Sequence, residues 1–260
     1  MKVITWNVNS IRTRLERTLA LLERHQPDLL ALQETKVEDG AFPHAEIAAL
    51  GYRAEAFGQR TYNGVALLSK EPLANVVRGF AGDPVPQESR LIGATLRGLT
   101  VYDLYVINGQ APGTDKYERK LVWLDAFIAE LAKRHRPDEP LLLVGDFNVA
   151  PEPVDVHDPK RWEGKIHFSQ PERERIRRLL DWGLSDLLRR QTDEGGLYTW
   201  WDYRMGAFHR GWGLRIDLAL GTAPVADRLV SVTIERDERK PTFGPGKPSD
   251  HAPVIVELTE

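Results

Sequence analysis

The sequence predicts an α/β fold in which two β-sheets pack face to face and are covered by helices. Nine short apolar runs have the length of strands, and several are apolar on both faces, as in sheets covered on each side. Amphipathic helical patterns lie between these runs. No linker-like tract or short-period repeat divides the chain, so residues 1–260 are expected to form a single domain.

The predicted elements follow in order along the chain. Helical patterns show apolar residues at spacings of three and four, and in the first of them Leu15, Leu19 and Leu22 form one stripe. The predicted helices are 11–25, 116–136 and 172–182. The predicted strands are 3–8, 29–32, 64–68, 91–96, 101–106, 141–144, 216–220, 230–234 and 254–258.

Composition excludes several classes of protein. The absence of cysteine excludes disulfides, thiolate nucleophiles and cysteine-ligated zinc. No apolar run approaches the ~20 residues of a membrane-spanning helix, and the first residues, MKVITWNVNS, lack the apolar region of a signal peptide. We therefore expect a cytoplasmic protein without membrane contact. Because the formal charge is −3, any contact with nucleic acid must come from local patches.

Two segments are locally basic. Residues 160–178 carry seven Lys and Arg against three Glu, and a solvated helix face would explain them equally well. Residues 203–216 contain three Arg and no acid, interleaved with Tyr203, Phe208 and Trp212. Aromatic rings among unopposed arginines in a glycine-rich loop are typical of a surface that meets phosphates and bases.

Polar side chains stand at the ends of six predicted strands. Buried acids and amides are costly to desolvate, and loops can supply such groups freely. Their repeated position indicates one polar site at the mouth of the sandwich. The residues are Asn7, Asn9, Glu34, Tyr105, Asn108, Asp146, Asn148, Asp217, Asp250 and His251.

Each of these residues also has a purely structural interpretation. Asn7 or Asn9 could cap the helix that begins near Ile11, and Asp217 could pair with Arg215 in the core. These interpretations explain single residues. They do not explain why all the residues fall at the same place relative to their strands.

The chemistry that suits this set is hydrolysis of a phosphodiester. Hard divalent cations prefer carboxylate and amide oxygens, so we expect Glu34 to be the principal ligand of Mg²⁺, with Mn²⁺ as an alternative, and Asn9 and Asp250 to share the coordination shell. A water nucleophile needs a proton acceptor, a role that fits Asp146, while Asn148 would orient the water or the phosphate.

Donors are also needed where negative charge develops on the phosphate oxygens. His251, Asn7 and Tyr105 can provide them. An imidazolium needs an anion beside it to stay charged at neutral pH, and Asp217 fits that role. The sequence therefore predicts that His251 faces the phosphate while Asp250 faces the metal.

Several motifs resemble those of one known family. ITWNVNSIR, LLALQETK, YNGVALLSK, KLVWL, LLVGDFNVAP, ERERIRRLLDWGLSD, YTWWDYR, GLRIDLAL and KPSDHAPV follow in order over residues 2–258. Together they resemble the exonuclease III family of apurinic/apyrimidinic endonucleases, in the endonuclease/exonuclease/phosphatase superfamily with its deoxyribonuclease I-like fold. The resemblance implies a four-layered α/β sandwich of two packed mixed β-sheets flanked by helices, and a Mg²⁺-dependent cut 5′ to an abasic site. It also implies 3′→5′ exonuclease and 3′-phosphatase activity on double-stranded DNA with blocked 3′ ends.

The family motifs match residue by residue. The matches are the metal glutamate Glu34, the amino-terminal Asn7, Asn9 where the family has Asn or Asp, Asp146 and Asn148 of the GDxN motif, Asp217 of the LRID motif, and Asp250 with His251 of the SDH motif.

The tyrosine of the family falls in a segment that departs from the usual pattern. YVING carries Ile107 where the family has proline, and an alignment shifted by five residues would place Gln110 at the tyrosine. Tyr105 is the preferred match because it keeps Asn108 in register.

Two further motifs, YTWWDYR and FHRGWG, correspond to the family's DNA-contacting loops. Trp200, Phe208 and Trp212 are expected to wall a pocket for a base-less sugar or to wedge into the base stack, although Trp200 and Trp201 are also compatible with the core. The expected DNA-contacting residues are Asn108, Trp200, Arg204, Phe208, Arg210 and Trp212.

A monomer is expected. Two other functions are alternatives to DNA repair. A phosphoinositide phosphatase or sphingomyelinase of the same superfamily would share the catalytic set but has no use for WWDYR and the basic segments. A catalytically dead DNA-binding module should have lost Glu34 or the SDH pair first.

Overall fold

The structure, a computed structural model that describes residues 1–260, contains two six-stranded sheets. The strands are β1 Lys2–Asn7, β2 Leu29–Gln33, β3 Arg53–Phe57, β4 Val65–Ser69, β5 Ala74–Arg78, β6 Leu91–Leu96, β7 Leu99–Tyr105, β8 Leu141–Asp146, β9 Leu184–Asp186, β10 Asp217–Thr222, β11 Leu229–Ile234 and β12 Val254–Leu258. The α-helices are α1 Ile11–His25, α2 His44–Ala49, α3 Asp115–Arg134, α4 Pro159–Trp162, α5 Gln170–Trp182, α6 Leu187–Gln191, α7 Ala207–Arg210 and α8 Ala223–Ala226.

Each sheet is mixed and has one parallel pair near its centre. The first sheet has the order β11-β12-β1-β2-β4-β3, in which β1 and β2 are parallel. The second has the order β5-β6-β7-β8-β10-β9, in which β7 and β8 are parallel. All the other neighbours in both sheets run antiparallel.

Three apolar clusters hold the layers together. One lies between the two sheets and contains Val3 and Ala31 from the first sheet and Val101 and Val144 from the second. A second cluster joins the outer face of the first sheet to α1 and α2, and a third joins the second sheet to α3 and α5. The order of layers is therefore helix, sheet, sheet, helix, and the predicted four-layered sandwich is confirmed.

Nine of the twelve strands were predicted from the sequence, and three were not. The missed strands, β3, β5 and β9, all lie at sheet edges or carry exposed residues, so their side chains do not form the continuous apolar runs that identified the other nine. The short helices α2, α4, α6, α7 and α8 were missed too. A helix of four to six residues is too short to show a stripe of apolar positions.

The helix after β1 begins with a cap that decides one of the alternatives left open by the sequence. Ser10 is the N-cap of α1, and its side chain accepts a hydrogen bond from the Thr13 N–H. The side chains of Asn7 and Asn9 are therefore not used as caps and are available to the site. Among the helices, none combines the length and the apolar character required to cross a membrane.

Candidate active site

The ends of the central strands meet at one edge of the sandwich. Asn7 ends β1 and Asp146 ends β8, while Asp217 begins β10 directly opposite Asp146 in the antiparallel register. Tyr105 ends β7 and is the parallel partner of Asp146. Because antiparallel neighbours begin where their partners end, these four residues come together although up to 210 positions separate them in sequence.

Asn7 links the two sheets through their carboxylates. Its side-chain N–H groups donate to Glu34 Oε1 and to Asp146 Oδ2, each at 2.9 Å. Both of these donors are occupied, and the side-chain oxygen accepts the Asn9 N–H at 2.9 Å. In this arrangement Asn7 positions the carboxylates, and it offers no free donor of the kind expected from the sequence.

Asp146 is buried and held from several directions. Its Oδ1 accepts the Asn148 N–H at 2.9 Å, and its Oδ2 accepts the side-chain N–H of Asn148 at 3.2 Å. Burial and the charges of Asp217 and Glu34 together raise the pKa of Asp146 to about 7, against the opposing effects of the His251 charge and the Asn7 hydrogen bond. A carboxylate with this pKa can take up a proton near neutral pH.

His251 lies against two carboxylates. Its Nδ1 donates to Asp217 Oδ2 at 2.8 Å, and its Nε2 is 3.9 Å from Asp146 Oδ2. Burial lowers the pKa of His251, but the charges of Asp217 and Asp146 outweigh burial and raise this pKa to about 10. Nε2 is therefore a protonated donor that forms no hydrogen bond within the protein. The alternative pairing of Asp217 with Arg215 does not occur, since Arg215 binds Asp155 and Asp186.

The residues that could hold a cation surround Glu34. A carboxylate oxygen each of Glu34 and Asp146 and a ring nitrogen of His251 lie within 4.8 Å of one another, and since the His251 ring is protonated, the two carboxylates are the groups that could hold a cation. The ammonium of Lys36 is 2.8 Å from Glu34 Oε2 and 2.5 Å from Asn9 Oδ1, so a positive charge already bridges two of the expected metal ligands. The sequence reasoning missed Lys36, although it directly follows the strand-end segment LQET.

Asp250 is connected to Glu34 only indirectly. Its Oδ1 accepts from the Asn9 side chain at 2.8 Å and its Oδ2 from Trp200 Nε1 at 3.1 Å. Burial raises the pKa of Asp250, but the His251 charge and these two hydrogen bonds together bring it below the ordinary value. Asp250 thus stays ionised beside Asn9, but it lies outside the group formed by Glu34, Asp146 and His251.

Two buried side chains that the sequence reasoning left out hold the loop of Asn148. Lys120 Nζ and His167 Nδ1 both donate to the Asn148 carbonyl oxygen at 2.7 Å, and Lys120 also forms a fully buried ion pair with Glu172. Burial and the Lys120 charge lower the pKa of His167 to about 4, so its ring is neutral. The sequence does indicate that Lys120 is buried, because this residue lies on the apolar stripe of helix α3 between Tyr117 and Leu124.

The expected DNA-contacting residues divide among three places. Asn108, Trp200 and Arg204 line a cleft of about 890 Å³ beside Tyr105, and the Asn108 side chain donates to Asn148 Oδ1 at 3.1 Å. Arg210 and Trp212 line a different groove, of about 590 Å³.

Phe208 lies mostly inside the protein, which differs from the pocket wall expected from the sequence. Only 8% of Phe208 is exposed, and its ring packs edge-on against the buried Trp201. The guanidinium of Arg236 covers it at 4.2 Å. Because α7 turns this side chain into a small apolar cluster, Phe208 cannot form a wall of one pocket with Trp200 and Trp212.

Ile107, which stands where the resemblance predicted proline, is buried in the apolar cluster of the second sheet. Tyr105 lies beside Asp146, whereas Gln110 lies on an exposed turn, with its backbone N–H donating to Asn108 Oδ1 at 3.1 Å. Burial and the charges of Glu34 and Asp146 raise the pKa of Tyr105 well above its usual value, so its hydroxyl keeps its proton. The phenol is thus a donor at the edge of the cleft.

This geometry predicts the effect of two matched substitutions. Tyr105→Phe should slow cleavage about 10-fold, the cost of one hydrogen bond to a charged group, because the ring and its contact with the Arg90 guanidinium at 5.0 Å are kept. Gln110→Ala should leave the single-turnover rate within about 2-fold of wild type, since the Gln110 side chain is exposed at the wall of the cleft and forms no hydrogen bond. The opposite ranking would assign the phosphate contact to Gln110.

Comparisons with known proteins agree with this geometry. A family model described as the endonuclease/exonuclease/phosphatase family matches residues 4–251. Exodeoxyribonuclease III of Haemophilus influenzae is 38% identical over 99% of this chain and 100% of its own length. The solved 3′ phosphatase NExo from Neisseria, bound to a product DNA hairpin, is 40% identical with a TM-score of 0.95, and an AP endonuclease from Archaeoglobus fulgidus is 38% identical with a TM-score of 0.94; both comparisons cover 100% of each chain. The chain belongs to the endonuclease/exonuclease/phosphatase family and is a hydrolytic nuclease homologous over its whole length to exodeoxyribonuclease III.

Proposed function

We propose that the protein is a Mg²⁺-dependent DNA-repair hydrolase that cuts the DNA backbone 5′ to abasic sites and removes blocking groups from 3′ ends. The observation that carries the proposal is the arrangement of Asp146, His251 and Asp217 next to Glu34. It combines a carboxylate that can accept a proton with a cationic donor 3.9 Å away. Both are needed to add water to a phosphate ester.

Each of these residues has its own task in the reaction. Asp146 takes the proton of the attacking water, and Asn148 and Asn7 hold Asp146 in place through its two oxygens. His251 donates from Nε2 to the phosphate oxygen on which charge develops, and Asp217 fixes the ring through Nδ1. The Tyr105 hydroxyl, which keeps its proton, donates a hydrogen bond to the same phosphate from the neighbouring strand.

A divalent cation fits the oxygen atoms around Glu34. The side chains of Glu34 and Asn9 already hold the ammonium of Lys36 between them, which indicates a place where positive charge is favoured. Carboxylate and amide oxygens suit Mg²⁺, and also Mn²⁺, better than soft metals. When bound, the metal would neutralise charge on the phosphate.

The substrate is argued from the cleft and from the relatives. Lys116, Arg119 and Arg204 line the cleft together with aromatic side chains such as Trp200 and Tyr62. Cationic groups among aromatic rings suit a polynucleotide better than a small inositol phosphate. The similarity to an AP endonuclease supports incision at abasic sites, and the similarity to a 3′ phosphatase supports hydrolysis at 3′ ends. We further propose that the chain acts in the cytoplasm as a monomer with a single domain.

The test uses four substrates with wild type and Glu34→Gln. Abasic duplex, duplex with a 3′-phosphate, intact duplex and an inositol phosphate are incubated with Mg²⁺ or with EDTA. We expect Mg²⁺-dependent products from the first two, and a loss of about 10²-fold or more in Glu34→Gln. The loss in Glu34→Gln is compared with that in Asp250→Asn, because Asp250 lies outside the group formed by Glu34, Asp146 and His251.

The set of substrates that is hydrolysed tests each part of the proposal separately. Hydrolysis of the 3′-phosphate alone would remove the endonuclease part of the proposal. Hydrolysis of the inositol phosphate alone would replace the DNA substrate. Wild-type turnover by Glu34→Gln at limiting Mg²⁺ would remove Glu34 from the metal site, and a thermal melt with unchanged Tm would show that the variant is folded.

A further inference from the structure

A second groove opens beside the catalytic cleft. Its volume is about 590 Å³, and its walls include His157, Asp158, Lys160, Tyr198, Arg210 and Trp212. We refer to it as the His157–Trp212 groove. The catalytic residues do not line it, so the proposed hydrolysis gives it no role.

Aromatic rings in this groove are stacked and held in place. The rings of His157 and Trp212 are nearly parallel, with an angle of 18° and 6.2 Å between centroids. His157 Nδ1 donates to the Gly213 carbonyl oxygen at 3.2 Å, which fixes the imidazole orientation. The guanidinium of Arg210 lies 4.6 Å from the centroid of the Trp212 ring. A rigid stack of this kind offers flat surfaces to another planar group at a low cost in conformational entropy.

Four polar side chains of the groove, those of Lys160, Tyr198, Arg210 and Trp212, form no hydrogen bond or ion pair within the protein. Lys160 and Arg210 form no ion pair, in contrast to Arg215, which binds two carboxylates. The Tyr198 hydroxyl and the Trp212 indole N–H form no hydrogen bond. The one acid, Asp158, uses its carboxylate to cap α4 by accepting the Arg161 N–H at 3.0 Å. The groove therefore combines two unpaired cations with free donors and stacked rings, the properties of a site for a phosphate joined to a planar base.

The groove and the catalytic cleft share a wall. Trp162 lines the cleft, and its ring also contacts His157 edge-on at a centroid distance of 6.1 Å. Leu214 pairs with both Val156 and Trp200, and Trp200 pairs in turn with His251. The groove and the catalytic cleft are therefore neighbours on the protein surface.

We propose that the His157–Trp212 groove binds an unpaired nucleotide of the DNA substrate, with the base replacing the Arg210 guanidinium on the Trp212 ring and the phosphate held by Arg210 and Lys160. This inference rests on the proposed function for the identity of the polymer. The base must be unpaired, because the faces of a base within a duplex are covered by its neighbours, and contact with duplex phosphates would require only the cations.

Binding of three fluorescent DNAs in EDTA tests the inference without cleavage. The first probe is a blunt hairpin duplex, and the second is the same hairpin with an overhang of four thymidines at its open end. The third is a ten-residue oligothymidylate. Trp212→Leu keeps an apolar side chain but removes the π face. The matched control is Phe243→Ala, since Phe243 is also a partly exposed ring under an arginine, with Arg24 at 4.7 Å, but lies outside the groove.

We expect Trp212→Leu to raise the Kd for the overhang hairpin and for oligothymidylate about 10-fold, as for loss of one base stack, and the Kd for the blunt hairpin less than about 2-fold. Phe243→Ala should change none of the three values. Arg210→Ala should weaken binding of the overhang and flatten its dependence on salt.

Three results would overturn the inference: equal losses on blunt and overhang hairpins, a loss in Arg210→Ala but not in Trp212→Leu, or no loss in either variant. Equal losses or a loss in Arg210→Ala alone would mean that the groove contacts duplex backbone only. Cleavage of the blunt 3′-phosphate hairpin with Mg²⁺ is measured in parallel. If wild type fails to cleave while Trp212→Leu still loses overhang binding, the proposed hydrolysis fails and the groove assignment stands.

Discussion

His251→Asn is expected to lower the single-turnover rate of hydrolysis about 10³-fold. The substitution removes the protonated Nε2, which has no hydrogen-bond partner in the protein, from a position 3.9 Å from Asp146 Oδ2. Removing a donor aimed at developing charge costs on the order of 10²–10³ in rate, and here the donor also carries a full charge. A rate within about 10-fold of wild type, in a variant with unchanged Tm, would exclude His251 from contact with the phosphate.

Asp217→Asn should have a smaller effect that depends on pH. In the wild type the pKa of His251 is raised to about 10, so the imidazolium persists between pH 6 and 9. Without the Asp217 charge, burial is opposed mainly by Asp146, and the His251 pKa falls. The protonated fraction then decreases as pH rises, and the rate deficit of Asp217→Asn should grow from pH 6 to pH 9.

The double variant shows whether the two residues act as a unit. Asp217 acts through the His251 ring, so Asp217→Asn should cost little once His251 is Asn. Single-turnover rates of the four proteins across this pH range provide the measurement. Strictly additive losses, or a deficit of Asp217→Asn that does not change with pH, would restrict Asp217 to a structural role.

Asp146→Asn should also reduce the rate about 10³-fold, with little change in KM, because an amide cannot take the proton from water. The pKa of Asp146 is raised to about 7, first by burial and then by the Asp217 and Glu34 charges. The wild-type rate should therefore rise with pH from 6 to 8 as Asp146 loses its proton. The residual rate of Asp146→Asn should lack this rise.

Asp103→Asn is the matched control for this substitution. Asp103 is fully buried on β7, and burial raises its pKa well above the ordinary value, which favours the neutral form of its side chain. Replacing it with the isosteric neutral amide should change the rate less than about 2-fold and leave the pH profile intact. An Asp146→Asn variant that retains the wild-type pH profile would assign the proton transfer to another group.

The central strands and long helices could be predicted from sequence because their signal is local. Buried strands such as β8 and β12 appear as apolar runs, and the helical pattern of α1 predicted the observed ends at residues 11 and 25. Of its predicted stripe only Leu22 is buried, since Leu15 and Leu19 are half-exposed. Edge strands such as β5 lack this signal, because their exposed side chains make no apolar run and their existence depends on a partner distant in sequence.

The polar residues of the active site were also found in the sequence, since strand ends mark the edge of a sheet and the ordered motifs identify the family. Their individual tasks required the tertiary structure. Asn7 was expected to donate to the phosphate, yet both its N–H groups bind carboxylates that come from positions 34 and 146. Residue types limit what a side chain can do, but hydrogen-bond geometry determines which of these interactions it makes.

The segment that contains Trp200, Phe208 and Trp212 shows most clearly what the sequence determines and what only the tertiary structure determines. By itself, the sequence determined the fold class, the family and the strand-end residues of the site, because all three depend on local patterns and on residue types. Only the tertiary structure decided that Trp200 lines the catalytic cleft, that Phe208 is buried under Arg236, and that Trp212 lies in a separate groove. The physical reason is that burial depends on which distant segments pack against a loop, here residues 156–162 and 236–252, and a loop carries no periodicity that encodes those contacts.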